Sequence, residues 1–169
     1  MEYLIVDGYN IINAWDDIFD LKKYKLEDCR DKLLGILSNY QGYKKIQVMV
    51  VFDAHMVKGS QEKREQFDNL TVVYTKENET ADSFIEKYVY KTSSEYTMRV
   101  ATSDSLIQTT VLSIGGVRMS PRELKEEVEA ANRNIREEIR NDRVKTNTLM
   151  SRISPELLEK LEKIRRDKS

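Results

Sequence analysis

Short apolar runs that finish on an aspartate recur along this chain, and they limit the folds open to it. Tyr3-Leu4-Ile5-Val6 leads into Asp7, Ile46 to Phe52 leads into Asp53, and Met98 to Thr102 leads through Ser103 into Asp104. Runs of this length, rich in β-branched residues, read as buried strands. Between them lie longer stretches with helical spacing. Leu26 to Tyr40 places Leu26, Cys29, Leu33, Ile36, Leu37 and Tyr40 on one face. After the short β-branched run Thr71 to Thr75, Thr80 reads as the N-cap of a helix with Ala81, Phe84, Ile85, Tyr88 and Val89 as its buried stripe. Strands alternating with helices imply a central, mostly parallel sheet with helices on both faces, an α/β architecture.

In such a sheet the carboxyl ends of the parallel strands open onto one rim, where ligands bind. Asp7, Asp53 and Asp104 each end a strand, and Asp82 opens the helix after another. The alternative at Asp7 is that it only caps the following helix, since Asp is a preferred cap. Gly8 is read as permitting a sharp turn, with a helix beginning near Tyr9. Like charges gathered on one rim raise each other's pKa unless a cation stands between them. A divalent metal resolves that repulsion.

Composition narrows the metal. The chain has 169 residues, 40% hydrophobic and 34% charged, with one Cys, one His and a formal net charge of −1. One cysteine excludes an intrachain disulfide, as expected of a cytoplasmic protein. Cys29 sits on an apolar helix face and reads as a core residue. A Cys/His zinc site is excluded in practice, so the expected ion is Mg²⁺ or Mn²⁺ held by oxygen. Asp7, Asp82 and Asp104 suffice for such an ion, with Asp53 as a further ligand, and Asn10 and Ser103 placed to orient a water or a phosphate oxygen. This set suits phosphodiester hydrolysis. No GxxxxGK[ST] or GxGxxG stretch occurs, so no nucleotide cofactor is expected. No apolar run of about 18 residues and no signal-peptide pattern is present, so no membrane partner is expected either.

The remaining segments are read as follows. Asp16, Asp17 and Asp20 are solvated loop acids, and Gly42 ends the first long helix region. Met56 to Asn69 is a mobile loop and a charged segment, in which Lys58, Lys63 and Arg64 either meet a phosphate backbone or form a solvated face. His55, the lone histidine, is read as a surface or hydrogen-bonded residue. Leu106, Ile107, Val111, Leu112 and Ile114 are the buried residues of a helix that Gly115-Gly116 stops. Ser120-Pro121 with Glu123 starts a long helix to about Arg143. On it Arg133, Arg136, Arg140 and Arg143 are spaced three, four and three apart and share one side at about 3.6 residues per turn. They contact phosphates or pair with Glu129, Glu137 and Glu138. Thr146-Asn147-Thr148 is read as breaking that helix. Ser154-Pro155 caps a last one with Leu157, Leu158, Leu161 and Ile164 on one face. The core is drawn at residues 1–120 and a C-terminal helical extension at 121–169.

Val6-Asp7-Gly8-Tyr9-Asn10, Val51-Phe52-Asp53, Thr80-Ala81-Asp82 and Ala101-Thr102-Ser103-Asp104, in this order, resemble the NYN branch of the PIN-like nucleases, and more closely the bacterial YacP family. The likeness runs from residue 1 to roughly 145 and implies a Rossmann-like PIN fold and a metal-dependent endoribonuclease. It also implies association with the ribosome and cleavage of mRNA during translation. By motif, Asp7, Asp82 and Asp104 match the family's acidic site, with Asn10 and Ser103 beside it, and Asp53 matches as well. Two other readings stand beside this one: a non-catalytic RNA- or ribosome-binding module, and a PIN-type toxin ribonuclease, which the long extension disfavours.

Overall fold

A computed structural model describes residues 1–152 and 154–167; residues 153, 168 and 169 of the expected extension lie outside it. The elements in chain order are β1 (Glu2–Asp7), α1 (Gly8–Ala14), α2 (Leu26–Lys44), β2 (Gln47–Phe52), β3 (Lys63–Phe67), β4 (Leu70–Tyr74), α3 (Ala81–Thr92), β5 (Thr97–Ala101), α4 (Ser105–Ser113), β6 (Val117–Met119), α5 (Pro121–Arg152) and α6 (Pro155–Asp167). Six strands form one sheet in the order β3-β4-β2-β1-β5-β6. All neighbours are parallel except β3, which runs antiparallel to β4. The expected α/β sheet is what the chain forms.

Pleating sorts the apolar residues to two faces. Leu4, Val6, Val48, Val50, Phe52 and Val72 join Ile11, Leu33, Leu37 and Leu124 in one buried cluster, under α1, α2 and the start of α5. Ile5, Met49, Val51 and Val73 join Ala81, Phe84, Ile85, Val89, Ile107 and Val111 in the other, under α3 and α4. Cys29 is buried in the first cluster, as its helical position implied.

The chain forms two compact units, Met1–Ala131 and Asn132–Ser169. The first three inward positions of α5, Leu124, Val128 and Ala131, are buried in the core of the first unit. Two polar ties fix this start: Trp15 Nε1 donates to the Pro121 carbonyl at 2.8 Å, and Arg99 bridges Glu2 and Glu127, each at 2.7 Å. The core thus runs past Pro121, the point at which the sequence changes to uninterrupted helix. Ser120 caps α5 as expected, its Oγ accepting from Glu123 N at 3.1 Å.

Several expectations need correction. The segment read as loop and charged stretch contains β3. Gly42 lies inside α2, which ends where Lys45 takes a left-handed φ of 56°. Leu106 and Leu112 are exposed instead of buried. Thr146-Asn147-Thr148 does not break α5; the helix runs through it, and Thr146 and Thr148 satisfy their hydroxyls on the carbonyls of Asp142 and Val144, each at 2.9 Å. The last helix needs no correction: α6 forms where the sequence places it, with Leu157, Leu161 and Ile164 exposed.

Candidate active site

The sheet reverses its winding between β1 and β5: the chain steps from β1 out to β2 and β4, then returns to the far side of β1 as β5 and β6. Open α/β sheets bind ligands outside the carboxyl ends at such a point. Asp7 ends β1 there, and Thr102, Ser103 and Asp104 leave β5 beside it.

Asp7 occupies the N-cap position of α1 yet makes no side-chain cap bond. Its Oδ2 instead accepts a hydrogen bond from Thr102 Oγ1 at 3.2 Å. The cap alternative therefore does not account for this aspartate. Gly8 is needed for a reason other than a turn: a Cβ there would lie 2.4 Å from Cε1 of the buried Phe52 ring, and its φ is not among the positive ones. Only a glycine lets α1 start against that ring and leave Asp7 on the rim.

Asp7 is nearly buried, and its carboxyl is pushed up to about 6. Burial is the largest cause, followed by the charge of Asp82; the Thr102 hydroxyl opposes them, and Asp53 and Asp104 add to the rise. Asp82 lies in the first turn of α3, which Thr80 caps through Ser83 N at 3.1 Å. Its pKa is also raised, by burial, then by the charge of Asp104 and a hydrogen bond between the two carboxyls, then by Asp53. Asp7, Asp82 and Asp104 thus form one mutually repelling group.

Asp104 is also a helix cap. Its Oδ1 accepts from Leu106 N and Ile107 N at 2.9 and 3.1 Å. Thr102 joins the two acids, since the Oγ1 that donates to Asp7 accepts from Asp104 N at 3.1 Å. This fully buried hydroxyl escaped the sequence reading; its only signal was a polar β-branched residue between an apolar run and Ser103-Asp104. Asn10 and Ser103 form a reciprocal pair: Asn10 Nδ2 donates to Ser103 Oγ at 2.6 Å and Ser103 N donates to Asn10 Oδ1 at 2.8 Å.

Asp53 plays a different part. Its Oδ1 takes His55 N at 2.9 Å and the His55 ring Nδ1, and its Oδ2 takes Ala81 N at 3.2 Å. Burial would raise its pKa, but these donors outweigh burial and hold it below the usual range. It anchors the α3 start, one residue before Asp82. Glu79 is buried and faces Lys76 and Lys87 at 3.8 and 3.6 Å.

The donor set, all carboxylate and hydroxyl oxygen, suits a hard divalent cation, and the raised pKa values mark a place where positive charge is wanted. Among the described residues, no three His, Cys, Asp or Glu side chains already close into a cage around one point. Mg²⁺ does not need one, because it keeps several waters and takes only one or two carboxylates directly.

The expected basic contacts separate into two kinds. Lys63 and Arg64 lie on β3, where Lys63 pairs with Glu65 at 2.7 Å and Arg64 with Glu62 at 2.8 Å. Lys58 is exposed in the loop after β2 and makes no ion pair among the described residues. In the second unit Arg133, Arg136, Arg140 and Arg143 are all exposed on α5. Among the described residues none of them pairs with Glu129, Glu137 or Glu138. No described helix is long and apolar enough to cross a membrane.

A family model for the YacP-like NYN domain matches residues 4–166. A relative from Bacillus subtilis (strain 168), described as uncharacterized protein YacP, is 42% identical over 98% of this chain and 98% of its own length. The crystal structure of Rae1 (YacP) from Bacillus subtilis superposes with a TM-score of 0.72 at 41% identity, covering 98% of this chain and 95% of that one. A tryptophan-to-leucine mutant of the same protein gives 0.71 at 38% identity over 91% and 87%.

Proposed function

The chain belongs to the YacP-like NYN domain family, and from that premise we propose that it is a divalent-metal-dependent endoribonuclease that cuts single-stranded mRNA on the translating ribosome. The family supports a nuclease or RNA-related role in general. The observation that carries the finer reading is the crowding of Asp7, Asp82 and Asp104, with Asp7 pushed up to about 6 in a site that positive charge would relieve. Ribosome association rests on the family resemblance.

Asp7, Asp82 and Asp104 are the residues to hold Mg²⁺ or Mn²⁺, which when bound polarises a phosphoryl oxygen and acidifies the attacking water. Asp53 positions Asp82 by fixing the first turn of α3 through Ala81 N. Thr102 keeps Asp7 and the Asp104 backbone in register across the switch point. Asn10 donates to the Ser103 oxygen, which leaves the Ser103 hydroxyl proton free to meet a phosphate oxygen. The exposed Arg133, Arg136, Arg140 and Arg143 supply sequence-independent attraction to a phosphate backbone.

A second reading, an RNA-binding module that does not cut, draws on the same exposed arginines and needs no metal on the acids. Calorimetric titration with Mg²⁺ and Mn²⁺ separates the two. The nuclease reading expects saturable binding that Asp7→Asn abolishes. Equal binding by both proteins, or none by either, favours the module.

A further inference from the structure

The turns that follow β2 and β5 carry large apolar side chains that the acid chemistry does not use. Met56 is 84% exposed and Val57 56%, both just beyond β2, and Leu106 is 73% exposed at the start of α4, just beyond β5. β2 and β5 are the two neighbours of β1 in the sheet, so Asp7 stands between these positions in strand order.

Their exposure comes with a well-held backbone. In the β2–β3 connection, Val57 N donates to the Ala54 carbonyl at 3.0 Å and Ser60 N to the Val57 carbonyl at 3.1 Å. The next connection clamps it from outside: Asn78 N donates to the His55 carbonyl and Glu77 N to the Ser60 carbonyl, each at 2.9 Å. Gly59, at a left-handed φ of 74°, donates its N–H to Glu77 Oε2 at 2.9 Å. Leu106 is fixed by its own N–H, which the Asp104 carboxylate accepts. Ligand sites pair a few polar groups with apolar side chains, and these three are the exposed apolar side chains nearest in sequence to the ends of β2 and β5.

We propose that Met56, Val57 and Leu106 are nucleobase contacts that grip the unstacked bases on either side of the scissile phosphate, with Lys58 meeting the adjoining backbone. This rests on the nuclease reading and adds to it the residues that set substrate register. A strand whose phosphate reaches Asp7 and which follows the sheet's strand order passes over the ends of β2 and β5. In a single strand the base faces there are open and gain from apolar cover, whereas a duplex hides them in its stack. The three side chains therefore favour unpaired RNA and fix which phosphodiester lies on the acids.

The test compares cleavage of a short single-stranded RNA and of the same sequence in a duplex, with Mg²⁺, by wild type, Met56→Ser/Val57→Ser, Leu106→Ser and Leu112→Ser. Leu112 is 53% exposed at the other end of α4 and serves as the control. The rim variants are expected to raise KM for the single strand by about three- to tenfold, at the low end of the aromatic-stacking scale because these side chains are aliphatic. Cut positions should shift and the preference over duplex should shrink, while Leu112→Ser behaves as wild type. Wild-type KM and cut pattern in both rim variants would overturn the inference and leave the nuclease reading standing. Should wild type bind RNA without cutting it, 2-aminopurine placed along the strand decides: identical fluorescence on binding wild type and rim variants overturns the base contacts. Neither cutting nor binding by wild type removes both readings.

Discussion

Asn10 and Ser103, 93 residues apart in sequence, exchange two hydrogen bonds of 2.6 and 2.8 Å, and so join the first turn after β1 to the turn after β5. The pair is exposed, so water can replace either bond, and Asn10→Ala is expected to cost only about 0.5–1.5 kcal/mol of stability. Cleavage should fall by at least about tenfold, because misplacing a group at the site by about 1 Å can cost about a hundredfold in rate. Chemical unfolding beside single-turnover cleavage checks this; a large stability loss with unchanged cleavage would make the pair a structural tie alone.

The Asp7 carboxyl links function to stability. Its folded pKa, about 6, is raised above the ordinary aspartate value of 3.8. The folded state therefore holds that proton more tightly than the unfolded chain. The resulting stability is full below about pH 4 and is lost as pH rises through 6, a difference of about 2–3 kcal/mol. Asp7→Asn should then be the more stable protein at pH 7.5 in EDTA, with the gap closing as pH falls toward 4. Urea unfolding across this range tests the sign; a variant less stable than wild type at pH 7.5 would refute it.

Gly8→Ala forces a Cβ against the Phe52 ring, which is fully buried. Despite alanine's better helix propensity, a loss of about 1–3 kcal/mol is expected. Phe52→Leu should relieve part of it, so the double variant is less destabilised than the sum of the two singles. Additive losses would show that the ring is not the obstacle.

The arginines of α5 carry a prediction of their own. Replacing Arg133, Arg136 and Arg140 together with Ala should weaken binding to single-stranded RNA. The slope of log K against log salt should fall by about 2, at roughly 0.7 for each phosphate no longer neutralised. Binding titrations at several salt concentrations give the slope. An unchanged slope would remove the stripe as a phosphate-binding surface.

Most of the sheet was legible because its strands are buried on both faces and read as unbroken apolar runs ending on acids. β3 was not, because Lys63-Arg64-Glu65-Gln66-Phe67 is an edge strand whose charges protect it from further pairing, and this composition looks like a loop. The rim acids were legible by position, but their division of labour was not. Nothing in Asp53-Ala54-His55 says that both oxygens of Asp53 are engaged by His55 and Ala81, and the role of Thr102 depends on Asp7, which only the folded sheet brings alongside. Leu106 and Leu112 show a limit of periodicity: α4 is apolar enough to suggest burial all round, but only Ile107 and Val111 face the sheet deeply.

The most direct test of the central claim is mRNA cleavage in a translating extract with Mg²⁺, comparing wild type with Asp7→Asn/Asp82→Asn and running free RNA beside it. The account predicts defined cuts by wild type only, with the translated message cut more readily than the free RNA. Equal cutting by the two proteins, or no cutting by wild type while both still bind RNA or ribosomes, would contradict the assignment of the acidic rim as a nuclease site.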